Sequence, residues 1–242
     1  MIWLPMRKTS LALFLLCLPA CQAPTASAPA TSASPPPPVT VAPRRDEAFV
    51  YPASMAPLPN QQNFQLAYAL ARAPRIAVYV NRELDGHLIV PVSIHVLSAG
   101  EYDPAAAQSL DLSALENDLS DFLSCQGTVR VMTPQFLAAH MTPQDVQDLA
   151  DGNPRVLSDL QDRTGAGILI QLQVYPMQQN DSTLDAVIVA EALDTQTLRQ
   201  IASVQQPVSL PIGSTELYES CRSLADELMK QMAKTWNATP GR

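Results

Sequence analysis

Hydrophobic positions beyond Asn60 recur at two spacings, and the switches between them mark out the elements. Leu66 to Ala71 predicts a short helix that ends before Pro74, since the residue ahead of a proline is pushed out of helical backbone. Ile76 to Val80 follows as an unbroken apolar run of strand length. Leu88 to Leu97 alternates instead, with Val92, Ile94 and Val96 set against Ser93 and His95. Pro91 lacks the N–H that a central strand needs, so this segment is expected at an edge or broken. Leu112, Leu115, Leu119 and Phe122 return to helical spacing behind an Asp111 cap, and Gly127 closes that helix. Thr128 to Met132 is predicted as a strand.

Thr133-Pro134, Thr142-Pro143 and Asn153-Pro154 each set a capping side chain before a proline at the first helical position. Three short helices are predicted there, the last running to Gly165. Ile168 to Tyr175, Thr183 to Leu193 and Leu198 to Gln205 then read as strands, joined antiparallel through breaks at Asn180-Asp181 and Asp194-Thr195. Leu217, Cys221, Leu224, Leu228 and Met232 form one stripe of a long closing helix that starts near Ser214. This order predicts an α/β sandwich over residues 60–242, with a mixed, partly antiparallel sheet flanked by helices.

Residues 1–59 have a different texture. Arg7 and Lys8 precede an apolar run from Leu11 to Leu18, too short to span a bilayer, which takes about 20 apolar residues. This is the layout of a secretory signal over residues 1–20. Leu18-Pro19-Ala20-Cys21 resembles the lipobox of bacterial lipoproteins. The resemblance implies cleavage before Cys21 and a diacylglycerol on its thiol. With Gln22 rather than Asp following, it also implies sorting to the outer membrane, facing the periplasm. The alternative is an ordinary secretory signal that happens to contain a cysteine. Ten prolines fall between Gln22 and Pro59 among Ala, Ser and Thr, with no glycine. Such chain buries too little apolar surface to offset its ordering entropy, so residues 21–59 are expected to form a disordered arm. At about 3.1 Å per residue in the extended proline helix, the arm could hold a domain on the order of 100 Å from the membrane. A spacer with no selected reach is the other reading.

Composition narrows the function classes. The 242 residues are 47% hydrophobic and carry a formal charge of -8, which supplies no field to attract phosphate backbones, so no nucleic-acid partner is expected. The 22 prolines show no Gly-X-Y period, which excludes collagen. His87, His95 and His140 lack the spacing of a metal-binding helix, and no Gly-x-Ser-x-Gly, His-Glu-x-x-His or Cys-x-x-Cys occurs. Gly165-Ala166-Gly167 precedes a strand, whereas phosphate-cradling glycines follow one, so it reads as a helix end. Glu83, Asp85, Glu116, Asp118 and Asp121 could be paired carboxylates, but on exposed faces they serve solvation. No catalytic residue, metal or cofactor is expected. Once Cys17 leaves with the signal and Cys21 is lipidated, Cys125 and Cys221 remain as an even pair in an oxidising compartment. A disulfide between them would contribute about 4 to 5 kcal/mol by closing a long loop. The alternative is two small apolar core residues.

RIAVYV, TVRVM after a helix, DLQDRTGAGILIQLQV and the hairpin AVIVAEALDTQTLRQIAS together resemble one family group over about residues 64–236. It comprises the lipoprotein activators of penicillin-binding proteins, the curli-secretion lipoproteins and the amino-terminal domain of the Tol-system periplasmic protein. The resemblance implies a non-enzymatic interaction domain at the outer membrane, with a periplasmic or envelope protein partner such as a penicillin-binding protein. The Pro-rich arm favours the activators. A ring-forming secretion component is the alternative, although a pore needs hairpins of about 9 to 11 alternating residues per strand, and only the run broken by Pro91 approaches that. No functional residue carries over from either family.

Overall fold

The computed structural model describes residues 56–82, 96–98, 100–150, 153 and 155–238. The signal, Cys21, the arm before Ala56, and His87 and His95 lie outside the described residues, as does the alternating run up to His95. Residues 45–242 belong to one compact unit.

Four strands make one mixed sheet in the order β1 (Arg75–Val80), β2 (Ala166–Gln179), β3 (Leu184–Asp194), β4 (Arg199–Leu210). β1 runs parallel to β2, and β2, β3 and β4 form an antiparallel meander. The two hairpins fall at the predicted breaks. Because side chains alternate across a strand, the central strands must satisfy two layers. On one face Ile76, Ile170, Ile188 and Val204 pack with Phe64, Leu119 and Leu228, which belong to α1 (Gln61–Leu70), α3 (Leu112–Leu123) and α7 (Ser214–Ala238). On the other, Ala77 and Leu169 pack with Leu137 and Leu160, which belong to α4 (Pro134–His140) and α6 (Arg155–Thr164). A short α2 (Pro104–Gln108) and α5 (Pro143–Ala150) complete the described helices.

The caps act as their residue types dictate. Asp111 Oδ1 accepts the N–H groups of Ser113 and Ala114 at 3.0 and 2.9 Å, and Thr133 Oγ1 accepts that of Phe136 at 3.2 Å. Thr142 and Asp145 exchange bonds as a capping box, the Thr142 N–H reaching Asp145 Oδ2 at 2.6 Å and the Asp145 N–H reaching Thr142 Oγ1 at 3.2 Å. Asp103 opens α2 in the same way, accepting the Ala105 N–H at 2.9 Å.

Two elements depart from the sequence expectation. α1 starts at Gln61, not Leu66, and the residue before it is held from a distance: Asp226 of α7 accepts from both the N–H and the Nδ2 of Asn60, each at 2.8 Å. It also ends before Pro74 can act, through an Arg72 N–H to Ala69 carbonyl bond and an Ala73 N–H to Tyr68 carbonyl bond, the Schellman pattern. The predicted strand Thr128–Met132 contracts to a bridge from Val131 to Ile76. Left-handed backbone at Cys125, Gln126 and Gly127 turns the chain just before it, and the Tyr68 hydroxyl takes the Arg130 N–H at 3.1 Å.

Both outer edges of the sheet are met by other elements over part of their length, which shortens the open ladder that invites strand addition. Along β1, Ile76 N–H bonds the Arg130 carbonyl, Met132 N–H bonds the Ile76 carbonyl, and Val80 N–H bonds Glu116 Oε1 at 3.3 Å. Along β4, Ser203 N–H donates to Gln231 Oε1 at 3.1 Å, and Thr235 Oγ1 donates to the Ile201 carbonyl at 2.7 Å. Pro207, at the same parity as Ile201 and Ser203, brings no N–H to that edge.

Candidate interaction surface

Within ILIQLQVY the apolar run of β2 is interrupted at period two by Gln171 and Gln173. Both are buried. Gln171 stands opposite Tyr79 of β1 on one side and Glu191 of β3 on the other, and Glu191 stands opposite Ser203 of β4. A polar row therefore crosses the sheet on the face of α4 and α6, between the cluster around Leu169 and a smaller one of Tyr175, Val187 and Val189. Burial raises the Glu191 carboxyl above its usual range, against a lowering bond from Gln200 Nε2 at 3.2 Å. Burial, then the charge of Glu191, pushes the Tyr175 hydroxyl up to about 12, so it keeps its proton and donates it to Gln173 Oε1. Gln171 is 4% exposed, and its Nε2 has no hydrogen-bond partner among the described residues. An unfilled buried amide donor loses its solvation without return, a cost the fold carries at this position. The row holds neither thiol nor metal cluster, and what it can do is exchange hydrogen bonds. The period-two glutamines are its sequence signal, one that matches no catalytic motif.

A concavity of about 560 Å³ lies between Ile201 and the α7 residues Glu227, Lys230, Lys234 and Thr235. Lys230 Nζ pairs with Glu227 at 2.8 Å and holds that carboxyl below its usual range. Gln231 and Thr235 are already engaged by β4.

The residues singled out from the sequence resolve as follows. Gly165-Ala166-Gly167 and Asp194-Thr195 come together in one structural lock. Thr195 donates its hydroxyl to the Ala166 carbonyl at 2.8 Å and its N–H to the Gly167 carbonyl at 3.1 Å. Gly165 has φ +71, and a Cβ on Gly167 would lie 2.9 Å from Pro74 Cβ. These glycines let two chains approach closely. His140 Nδ1 contacts the Phe136 carbonyl at 2.8 Å and its ring packs on Phe136, as a helix-end residue. Glu116 is largely buried; burial raises its carboxyl, against the Val80 N–H and Arg82. Asp118 and Asp121 are also raised, by burial and then by Asp111 and Asp118 respectively. Glu83 and Asp85 lie outside the described residues, and among the described ones no three ligand-type side chains could share a metal.

The disulfide expected between Cys125 and Cys221 is not formed in the structure. Both are free thiols in the core over the α1, α3 and α7 face. Burial pushes each thiol up to about 12, which keeps both protonated and unreactive.

No known protein-family model matches the chain, and no curated protein matches it. Among solved structures it is similar to the LpoB C-terminal domain from Salmonella enterica, at 13% identity over 62% of this chain and 98% of that one, TM-score 0.33. It is similar to TolB from Acinetobacter baumannii at 13% identity, 70% and 29% coverage, TM-score 0.32. It is also similar to the hypothetical protein CT253 from Chlamydia trachomatis at 10% identity, 69% and 99% coverage, TM-score 0.39.

Proposed function

We propose that this chain is a lipoprotein anchored through Cys21 to the outer membrane, whose α/β domain is a non-enzymatic binding module for a protein of the periplasm, with peptidoglycan synthesis or envelope assembly as its setting. The observation that carries the reading is the order of parts: an apolar signal run, Cys21, ten prolines without glycine, then a folded α/β domain. An anchored arm confines the domain near its partner, so a modest affinity suffices. The sheet face beside Tyr175 and Glu191, where Gln205 is exposed, is the docking region of this reading.

The experiment is photocrosslinking in intact cells from a residue analogue at Gln205, on β4 beside this face, combined with palmitate labelling of the full chain. Recovery of a single periplasmic protein, for which a penicillin-binding protein is the leading candidate, together with label lost on Cys21→Ser, is the expected result. Recovery of self-adducts alone, in a ring-sized assembly by light scattering, would replace the tethered binder with the ring-forming reading. An unlabelled chain would remove the anchor.

A further inference from the structure

α1 carries no charged residue, and none occurs from Ala56 to Ala71. Its inner side is filled by Phe64, Ala67 and Tyr68, with Phe64 and Tyr68 packed on Trp236 of α7. Its outer side presents Leu66 and Leu70, one turn apart, at 64% and 77% exposure. Among the described residues the other exposed large hydrophobics are Leu198 and Tyr218, so two of the four share one helix face. A single exposed leucine is ordinary, whereas a pair four residues apart has the spacing by which helices seat a partner. The charge beside the pair has one sign. Arg72 follows α1, exposed, in left-handed backbone. Arg130 is exposed on the flank where its N–H meets the Tyr68 hydroxyl and Gln65 Nε2 donates to Thr128 Oγ1 at 2.6 Å. No acidic residue occurs from Ala56 to Arg82 or from Phe122 to Gln144, in a chain that has 23 of them. Asp226 reaches α1 only at its other end, where Asn60 engages it. A cation past a helix end also offsets the macrodipole, which accounts for Arg72 but for neither Arg130 nor the leucines.

We propose that the outer side of α1, with Leu66, Leu70, Arg72 and Arg130, is a docking surface for an acidic amphipathic helix of a partner protein. Apolar side chains of that helix seat on the two leucines, and its carboxylates meet the two arginines. Leu66 and Leu70 are separated by about 6 Å of helix rise, one turn of a partner helix laid alongside. The chemistry favours such a helix over a polyanion or an anionic lipid surface. The leucines need apolar counterparts, and a chain of net charge -8 is repelled by an extended negative surface. The proposal rests on the reading of the domain as a binding module and not on the lipid anchor. It adds a second surface, because α1 packs on the opposite side of the sheet from the polar row. A partner held beside Gln205 and a helix on α1 therefore do not compete, and each can be tested without the other.

Titration of the full mature chain with a synthetic helix of about 18 residues, built from Leu, Ala and Glu, tests this by amide shifts in NMR spectra. Binding should saturate below about 1 mM, with the shifts gathered on α1, Arg72 and the segment around Arg130, and should weaken as salt is added. The same peptide with Lys for every Glu should bind at least about tenfold more weakly. So should the Glu peptide on Arg72→Glu with Arg130→Glu, and on Leu66→Ser with Leu70→Ser. No saturation, equal binding of the Lys peptide, or shifts centred elsewhere would overturn the proposal. Phosphatidylglycerol vesicles that shift the same amides as strongly would overturn it too, by assigning the face to lipid. If a variant fails to fold, the comparison of Glu and Lys peptides on the unsubstituted chain gives the same reading. A periplasmic adduct from Gln205 beside a silent α1 would sink this surface and leave the binding module standing.

Discussion

Thr195 is 1% exposed, and its hydroxyl and N–H both reach carbonyls at the start of β2, at Ala166 and Gly167. Asp194 caps the same turn through the N–H groups of Gln196 and Thr197 at 3.1 and 2.8 Å. Replacing Thr195 by Val keeps the shape but strands a buried carbonyl, and urea unfolding should lose about 1 to 3 kcal/mol, with Thr195→Ser close to the parent. Gly167→Ala should lose a similar amount, about 1 to 3 kcal/mol, because the Pro74 ring has no room to yield. The cysteines give a second residue-level outcome. After unfolding without reductant, both Cys125 and Cys221 should take up an alkylating reagent, and a chain lighter by two hydrogens that resists alkylation would restore the bridge.

At the scale of elements, capping chemistry carried most of what could be read in advance. Asp111, Thr133 and Thr142 open helices where their side chains said they would, because a cap is a local bond between neighbours in sequence. The meander was equally legible, since its strands are rich in Ile, Val, Leu and Ala and are separated by the polar breaks Asn180-Asp181 and Asp194-Thr195. The misses were non-local. Nothing near Asn60 marks it as a helix start, because the carboxylate that holds it is Asp226. Thr128–Met132 has the composition of a strand, and its contraction to a bridge follows from the left-handed turn before it and from Tyr68. The polar row was missed for a different reason: Gln171 is informative only once Tyr79 and Glu191 are known to flank it.

For the whole molecule, the buried carboxyls set the response to acid. Glu116, Asp118, Asp121 and Glu191 are all raised above their usual values, with burial as the leading cause in each. A carboxyl raised on folding contributes stability that is present below its unfolded pKa and is lost as the pH climbs through its folded one. Asp145 runs the other way. Burial pushes it up, but Arg163 and Thr142 together outweigh that and hold it low, so its contribution fades as the pH falls. Four groups stand against two, since Glu227 is also held low by Lys230, and with the net charge of -8 relaxing in acid the domain should melt higher in the carboxylate range of about pH 4 to 6 than at neutrality. Calorimetry across that range checks it, and Glu116→Gln should flatten the slope.

The clasp of Asn60 by Asp226 also decides where a mechanical load would arrive. Tension drawn along the chain ahead of Asn60 meets two parallel hydrogen bonds onto α7, a helix of 25 residues that also packs against α1, α3, β3 and β4. Such a joint is strained in shear over many contacts at once, so the domain should resist a steady tug without unzipping from its first turn.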